Sequence, residues 1–434
     1  MNAVRLLPLA TLTQPGIIQA TIPLASSKSE SNRALIIDAL TGFRCDLQNL
    51  STARDTQTMI RLLKSDVQYV GGPAGPETAD VLDAGTTMRF LTAYFAVTGQ
   101  QKIMTGTPRM CERPIGILVD ALRALGADIT YLKKEGYPPL QLNGFQAAET
   151  NRVSIRGDVS SQYISALLMI APVLPNGLTL ELTGALGSRP YIEMTLEQMI
   201  YFGAHVQADW VNKIITVGAK PYTPKSYAIE SDWSGASYWY SVAALAKDET
   251  AELNLLGLKA KSLQGDSAIV DIMRPLGVES TFTDAGVRLT KRPAEPSLAW
   301  DFTDCPDLAQ TVAVCAAVNG VKLTLTGIES LKIKETDRVA ALQTELQKIG
   351  AELIETEPNH RYEVRQLNAK PKGPARIATY DDHRMAMAFA PVAMQEEIIV
   401  EEPGVVAKSY PSFWDDMAQV AIVDMIQEEP RVKE

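Results

Sequence analysis

Apolar stretches of helical length recur along this chain, and six of them directly follow a short cluster of polar or charged residues. The clusters lie at residues 27–33, 83–89, 160–162, 304–307, 334–338 and 381–384. Ser and Asp are favoured helix caps, a Glu three residues after Ser27 is typical of a capping box, and Pro306 suits a first turn. The pattern therefore predicts six helix N-termini.

Each predicted helix start is also a candidate anion site. The first N–H groups of a helix lack partners within the helix, and the helix dipole places positive charge at that end. Five of the six clusters contain Lys, Arg or Gln, whose side chains can donate hydrogen bonds to phosphate or carboxylate groups. The combination indicates a pocket for small, highly anionic substrates.

A second pattern joins helices to strands through glycine. Four amphipathic segments each end at a glycine that precedes a short alternating stretch, and these glycines are Gly126, Gly203, Gly277 and Gly350. Glycine is the favoured residue just after a helix, and these four recur about every 75 residues. A period of this length predicts a repeated α/β unit with short strands in mixed sheets. Neither a dinucleotide-binding nor a P-loop glycine motif is present.

Length and charge narrow the function classes. A chain of 434 residues is expected to form two domains. The net charge of −10 argues against a nucleic-acid surface, because such surfaces need a clustered basic face. The cations of the six clusters stand against this acidic background and would create a focused local field.

Metal, disulfide and membrane signals are weak. The cysteines, which lack C-x-x-C spacing, are Cys45, Cys111, Cys305 and Cys315; we expect reduced thiols. The three histidines show no H-x-x-x-H spacing, so we expect no metal site. We see neither a signal peptide nor a membrane-spanning run, and expect a cytoplasmic protein.

We predict an N-terminal lobe of residues 17–226 and a C-terminal lobe of 1–16 with 227–434, with crossovers near 13–17 and 226–232.

Single clusters leave structural alternatives open. Lys28 and Arg33 could hold a phosphate, or could be solvated charges of an ordinary capped helix. Gly85 could allow close backbone approach to a ligand, or could serve a turn. Asp307 could cap a helix, or act as a base whose function partial burial keeps near neutral pH. Crowded cations would repel one another, which predicts a bound anion to receive them. These cations are Lys28, Arg33, Arg89, Arg113, Lys334, Arg338, Arg384 and Lys408.

Taken in order, the motifs resemble the 5-enolpyruvylshikimate-3-phosphate synthase family over residues 27 to 408. The matching strings are SKSESNRAL, DAGTTMRFLTA, ERPIG, SSQY, SRPY, KETDR, DDHRMAM and the late Lys408. The resemblance implies an α/β fold with two globular domains, each an inside-out α/β barrel of three similar units. It also implies transfer of the enolpyruvyl group of phosphoenolpyruvate to the 5-hydroxyl of shikimate-3-phosphate, with release of phosphate. No cofactor, nucleic acid or membrane is implied, and a monomer is expected.

The resemblance also implies residue roles. The shikimate-3-phosphate ligands would be Ser29, Arg33, Ser160, Ser161, Ser188 and Tyr191; the phosphoenolpyruvate side would comprise Lys28, Gly85, Arg113, Gln162, Arg338, Arg384 and Lys408, with Asp83 beside it. Asp307 would take the proton from the 5-hydroxyl, and Glu335 would deliver one to the methylene carbon. Lys334 would assist both binding and proton transfer, and Lys28 joins the catalytic group. Gly85 implies competition between glyphosate and phosphoenolpyruvate.

The sequence departs from the family pattern at two positions, and two alternative functions stay open. Asp83 and Ser330 stand where family members often carry Asn, and Asp83 brings a negative charge to a proposed anion site. The closest alternative is the enolpyruvyl transferase acting on UDP-N-acetylglucosamine, which uses a loop cysteine; Cys111 lies in the corresponding region. A two-lobed binding protein for an organic anion is the other alternative, although it would need neither Asp307 nor Glu335.

Overall fold

The computed structural model describes residues 2–9, 18–67, 76–158 and 160–427. Its strands are β1 (Asn2–Pro8), β2 (Gln19–Ile22), β3 (Asp46–Gln48), β4 (Glu77–Asp80), β5 (Lys102–Thr105), β6 (Ala127–Tyr131), β7 (Leu140–Phe145), β8 (Arg152–Arg156), β9 (Leu178–Thr183), β10 (Val206–Asp209), β11 (Ile214–Val217), β12 (Ser226–Ala228), β13 (Glu252–Leu256), β14 (Val278–Thr283), β15 (Gly286–Lys291), β16 (Ser297–Asp301), β17 (Lys322–Thr326), β18 (Ala351–Glu357), β19 (Arg361–Gln366), β20 (Ala375–Ile377), β21 (Ile398–Glu401) and β22 (Ala421–Gln427). Its α-helices are α1 (Lys28–Leu40), α2 (Arg54–Val67), α3 (Gly85–Val97), α4 (Pro108–Cys111), α5 (Gly116–Ala124), α6 (Ser161–Ile170), α7 (Arg189–Tyr201), α8 (Trp233–Leu245), α9 (Ile269–Met273), α10 (Ala309–Asn319), α11 (Arg338–Lys348), α12 (His383–Phe389) and α13 (Phe413–Met417).

The chain divides into two compact units. The discontinuous unit comprises Met1–Ala25 with Glu230–Glu434, and the continuous unit is Ser26–Ile229. The boundary predicted at residue 17 needs a correction, because it assigned β2 to the N-terminal lobe. In the structure β2 pairs in parallel with β13 of the discontinuous unit, with Ala20 opposite Leu253. Backbone pairing therefore holds this strand in the discontinuous unit. The crossover predicted near 13–17 lies outside the described residues.

One strand order recurs in five four-stranded sheets. The orders are β4-β5-β7-β6, β8-β9-β11-β10, β2-β13-β15-β14, β16-β17-β19-β18 and β20-β21-β1-β22. In each sheet the first two strands are parallel and the other neighbouring pairs are antiparallel. A sixth sheet pairs β12 with β3 within the described ranges. The predicted α/β fold of repeated units is confirmed.

The four repeat glycines lie between a helix and the strand that follows it. Gly126, Gly203, Gly277 and Gly350 have φ values of 110°, 91°, 106° and 86°. Side chains other than hydrogen are strained in this left-handed region. At Gly126 space is limiting as well, since an added Cβ would lie 1.9 Å from the Gln146 carbonyl oxygen. The predicted helix–glycine–strand pattern is confirmed at all four positions.

The most apolar helices are buried inside the units, and the sheets pack around these helices with one face exposed. Every residue of α12, and every residue of α6 from Tyr163 to Ile170, is buried, whereas a strand such as β6 alternates buried and exposed positions. A helix that is apolar on all sides must be enclosed by other elements. Within the described ranges, no helix combines the length and apolarity needed to cross a membrane. Polar side chains on these inner helices therefore concentrate at their N-terminal ends.

Candidate active site

In the continuous unit, four helix starts lie together. Lys28 Nζ at the start of α1 lies 3.2 Å from Asp55 Oδ2 at the start of α2. Thr87 Oγ1 in the first turn of α3 donates to the Asp55 carbonyl at 3.2 Å. Gln162 Nε2 on α6 donates to Thr86 Oγ1 at 3.0 Å. We call this group the helix-start cluster. Its unpaired N–H groups and dipole ends favour an anion.

Arg113 adds a cation to the helix-start cluster beside Gly85. A Cβ added to Gly85 would lie 2.8 Å from Arg113 Nη1 and 2.9 Å from Arg89 Nη1. Arg89 is buried and donates to the carbonyls of Gly85 and Pro114. Arg113 is only half-buried, and no other side chain in the described ranges hydrogen-bonds or ion-pairs with its guanidinium. Arg113 is therefore available to a bound anion.

Arg33 is a buried cation of the continuous unit. Its guanidinium donates to Thr195 Oγ1 at 2.7 Å, to the Ser29 carbonyl at 2.9 Å, and to Ser165 Oγ and the Tyr191 carbonyl, both at 3.2 Å. All four acceptors are neutral. Burial lowers the pKa of Arg33 to about 10, although the charges of Tyr191 and Glu30 oppose that shift. A buried charge with neutral partners costs free energy, so an anion bound nearby would stabilise it.

Serines occupy helix ends here, as the sequence predicted. The Ser27 hydroxyl accepts from the Glu30 N–H at 3.4 Å, which confirms the predicted cap. Ser160 caps α6 through the Gln162 N–H at 3.3 Å, and Ser161 is the first residue of that helix. Ser188 precedes α7 in the left-handed region with φ 54°. That conformation is unfavourable for serine and is often kept at functional sites.

Asp83 also has a basic partner. Its Oδ2 lies 2.9 Å from Arg54 Nη2, and both side chains are partly exposed. The negative charge that seemed to oppose an anion site is therefore paired with Arg54. An exposed pair of this kind contributes little stability, but it removes a net charge from the neighbourhood of Gly85.

In the discontinuous unit, Asp307 is surrounded by cations. Arg384 Nη2 lies 2.8 Å from Oδ2, and Arg338 Nη1 and Lys334 Nζ lie 3.0 and 3.9 Å from Oδ1. Burial raises the pKa of Asp307, but the three cations outweigh it and hold the pKa well below its usual range. The alternative in which burial keeps the pKa of Asp307 near neutral is therefore wrong for this structure, and the role of Asp307 as a base stays a prediction.

Glu335 is the second carboxylate held between cations. Arg338 Nη2 lies 2.9 Å from Oε2, and Lys408 Nζ lies 3.2 Å from Oε1. Arg338 is buried and also donates through Nε to Asp382 Oδ2 at 2.7 Å. Burial lowers the pKa of Arg338, but Asp382, Glu335 and Asp307 outweigh it and raise the pKa. We call Asp307, Glu335 and the cations that contact them the charge cluster.

The charge cluster corrects one argument made from the sequence. Crowded cations predicted a bound anion, yet each cation of this cluster already contacts a carboxylate of the protein. In water-poor surroundings such pairing offsets the cost of burying charge. A substrate anion would therefore exchange places with carboxylates that are already there.

Helix bounds differ from prediction around two motifs. Residues 334–338 were predicted to be a helix N-terminus, but α11 begins only at Arg338, the last residue of that cluster, and is capped by Asp337. Lys334 is extended, with ψ −151°. The first turn after Cys305 is a 3₁₀ turn, Pro306–Leu308, and α10 starts at Ala309. These turns place Lys334 and Asp307 ahead of the helices.

The predicted start of α12 is confirmed, and its entry is strained. Asp382 Oδ1 accepts from the Arg384 N–H at 2.8 Å. Tyr380 and Asp381 just before it both have left-handed φ values, 54° and 55°. The Tyr380 hydroxyl donates to the buried carboxylate of Glu345 at 2.8 Å. That contact stabilises a turn which non-glycine residues disfavour.

Two acidic residues escaped the sequence analysis. Asp55 contacts Lys28, and Asp266 is buried beside the charge cluster, where it accepts from the Ser234 hydroxyl. Burial, and to a smaller extent the charge of Asp307, raise the pKa of Asp266 to about 6. Asp55 and Asp266 lie outside the six clusters that the sequence pattern singled out, so local spacing gave no signal. No metal-binding group of three or more His, Cys, Asp or Glu occurs within the described ranges.

Comparisons with known proteins agree with one another. The family model for EPSP synthase (3-phosphoshikimate 1-carboxyvinyltransferase) matches residues 12–417. A 3-phosphoshikimate 1-carboxyvinyltransferase of Bacteroides fragilis (strain YCH46) is 47% identical over 421 residues, covering 96% of this chain and 99% of the relative. A protein of the same name from Escherichia coli (strain K12 / DH10B) is 36% identical over 430 residues, covering 95% of this chain and 98% of the relative. A solved structure of EPSP synthase from Acinetobacter baumannii aligns with a TM-score of 0.76 over 98% of this chain and 100% of that one, at 19% identity.

Proposed function

The chain belongs to the EPSP synthase family, and from that premise we propose that it transfers the enolpyruvyl group of phosphoenolpyruvate to the 5-hydroxyl of shikimate-3-phosphate, releasing phosphate. The charge cluster is the observation that carries this proposal. It holds two carboxyl groups, Asp307 and Glu335, joined through Arg338 at 3.0 and 2.9 Å. Addition to an enol phosphate and elimination of its phosphate need a proton acceptor and a proton donor close together.

The cations of the charge cluster would recognise phosphoenolpyruvate by exchanging partners. Arg384 and Arg338 now donate to Asp307, and Lys408 contacts Glu335. A substrate carboxylate or phosphate offers the same acceptor geometry. As these cations turn to the substrate, Asp307 loses the charges that hold its pKa low and becomes a competent base. Binding would thereby activate the acceptor of the 5-hydroxyl proton.

The proton steps then fall to three residues. Asp307 would take the proton from the 5-hydroxyl as that oxygen attacks C2 of phosphoenolpyruvate. Glu335, released from Lys408 and protonated from solvent, would protonate the methylene carbon. It would later recover a proton from the resulting methyl group as phosphate leaves with the proton held by Asp307. Lys334, whose Nζ lies 3.9 Å from Asp307 Oδ1, would balance charge between the two. Such transfers contribute about 10²–10⁴-fold in rate each.

The helix-start cluster would hold the other ends of the substrates. The half-buried guanidinium of Arg113, the Lys28 ammonium and the Gln162 amide are donors suited to phosphoenolpyruvate. The α6 start at Ser160 and Ser161, together with Ser188, would hold shikimate-3-phosphate beside the buried charge of Arg33. Orienting the two reactants can supply roughly 7–11 kcal/mol of the barrier.

We further propose that the two units act as the predicted lobes of a cytoplasmic monomer and close on shikimate-3-phosphate. The helix-start cluster and the charge cluster both carry cations, and we expect one pair of anionic substrates to use the cations of both clusters. Small-angle scattering tests this step. We expect a smaller radius of gyration with shikimate-3-phosphate, and an unchanged radius would contradict closure.

Phosphate release tests the activity itself. Purified protein is mixed with phosphoenolpyruvate and either shikimate-3-phosphate or UDP-N-acetylglucosamine. We expect release with shikimate-3-phosphate alone, and a control variant, Asp307→Ala, that binds substrate without turnover. Release with UDP-N-acetylglucosamine alone, abolished by alkylation of Cys111, would support the other enolpyruvyl transferase. No release with either acceptor would contradict the proposed function.

A further inference from the structure

Asp266 lies next to the charge cluster although the proposed mechanism gives it no role. It belongs to a 3₁₀ turn, Gly265–Ala268, and is only 2% exposed. Its Oδ2 accepts a hydrogen bond from the hydroxyl of Ser234. Burying a carboxylate costs free energy unless hydrogen bonds or opposite charges compensate it. We therefore expect the pair formed by Asp266 and Ser234 to have a function.

Ser234 connects that carboxylate to Arg384. The serine lies in the first turn of α8, whose cap Asp232 accepts from the Ser234 N–H at 2.8 Å. Arg384 Nη2 donates to Ser234 Oγ at 3.4 Å and to Asp307 Oδ2 at 2.8 Å. One guanidinium nitrogen therefore contacts both Ser234 and Asp307.

The chemistry of a hydroxyl gives this chain of contacts a direction. Ser234 has a single proton to donate and lone pairs that accept. When the carboxylate of Asp266 is ionised, it takes that proton, and the lone pairs of Ser234 remain for Arg384. When Asp266 is protonated it can donate to one of those lone pairs, and the serine proton then has no fixed acceptor, so the hydroxyl is free to rotate. The state of Asp266 therefore decides how firmly Ser234 is oriented as a second acceptor for Arg384.

We propose that Asp266, acting through Ser234, is a positioning residue that orients the guanidinium of Arg384 for its exchange between Asp307 and the anion of phosphoenolpyruvate. The inference rests on the proposed function for the identity of that anion. It does not rest on turnover, since orientation of Arg384 affects binding before any chemistry.

The charged surroundings of Asp266 give the arrangement a pH dependence. The carboxylates of Asp307 and Asp232 repel the charge of Asp266, and the guanidinium of Arg384 attracts it. The charge of Asp266 in turn helps to raise the pKa of the Cys305 thiol. Burial is the largest cause of the raised Asp266 pKa of about 6 given above, and these charges and the Ser234 hydrogen bond modify it. Above that pH the carboxylate is ionised and Arg384 is oriented; below it the orientation is lost.

Calorimetric titration with phosphoenolpyruvate, without shikimate-3-phosphate so that no turnover occurs, tests this inference in Asp266→Asn, Ser234→Ala and the double variant. We expect each single change to weaken binding about tenfold at pH 7.5, as for loss of one charge-assisted contact. We expect the double variant to be no weaker, because both changes break one chain of contacts. Ser234→Thr, which keeps the hydroxyl, should retain most of the affinity.

The ratio of wild-type to Asp266→Asn affinity separates positioning from a merely structural role. We expect it to fall toward one as the pH drops through about 6, and titration of the ligand cancels in the ratio. Single variants within twofold of wild type, additive losses in the double variant, or a pH-independent ratio would overturn the inference. Absent turnover by the wild type would instead contradict the proposed function, since these affinities need no turnover.

Discussion

Gly85 offers the sharpest test of how the helix-start cluster binds an anion. In Gly85→Ala, the new Cβ would lie 2.8 Å from Arg113 Nη1 and 2.9 Å from Arg89 Nη1. Ordinary contact with a methyl group begins at about 3.5 Å, so each nitrogen has to yield by about 0.6 Å. Arg89 is buried and hydrogen-bonded to two carbonyls, whereas no side chain in the described part of the chain hydrogen-bonds to the Arg113 guanidinium. We therefore expect Arg113 to move.

The cost should appear in binding and leave stability nearly unchanged. Overpacking of this kind costs about 1–3 kcal/mol where neighbours cannot relax, and each 1.4 kcal/mol is tenfold in affinity. We expect KM for phosphoenolpyruvate to rise by about 10- to 100-fold, with KM for shikimate-3-phosphate unchanged. Competitive inhibition by glyphosate should weaken in parallel if both anions use Arg113.

Steady-state kinetics and thermal unfolding of the same preparations check this expectation. Gly404→Ala is the matched control, because no atom lies within 4 Å of the added Cβ. A fall in unfolding temperature with KM unchanged would refute the reasoning, since it would mean that Arg89 yields and that Arg113 does not contact the substrate.

Three further predictions concern charge, space and strain. Replacing Asp307 by Asn should lower kcat by about 10²–10⁴-fold. Because the pKa of this carboxyl is lowered in the folded protein, the variant should also unfold at lower temperature at pH 7. That deficit should begin to shrink near pH 4, where the carboxyl of the unfolded wild-type chain takes up a proton while that of the folded protein stays ionised; a constant deficit from pH 7 to pH 3 would contradict this. Gly126→Ala should lose more unfolding free energy in urea than Gly99→Ala, since both have left-handed φ but only Gly126 has a backbone oxygen 1.9 Å from the added Cβ; equal losses would show that strain alone matters. Tyr380→Phe should lower the unfolding free energy by about 1 kcal/mol through loss of the bond to Glu345, and an unchanged value would assign the strained turn to other contacts.

Sequence reasoning performed best where a local rule acts. The helix caps at Ser27 and Asp382 depend on a side chain two or three residues from its partner, and both are confirmed. The glycine at each helix-to-strand junction follows from backbone sterics in the same way. Such rules need no knowledge of the remaining chain.

Pairings across the fold could not be predicted in this way. Arg338 contacts Asp382, which lies 44 positions later, and Arg384 contacts Asp307, which lies 77 positions earlier. Only tertiary structure brings such residues together, so the balance of charge around Asp307 was invisible in the sequence. Its pKa was accordingly expected in the wrong direction. The roles of individual site residues stay predictions until the variants above are measured.

The sheet β20-β21-β1-β22 has a consequence for biosynthesis. Ala3 pairs with Glu401 and Asn2 with Gln427, so one of the first strands to leave the ribosome waits for partners that are translated last. The continuous unit has all of its residues by Ile229 and can fold while the rest is still being made. The first strand, with its buried Val4 and Leu6, stays without its partners during that time. Slowed translation near the C-terminal end should therefore lengthen the interval in which this strand is open to chaperones and to aggregation.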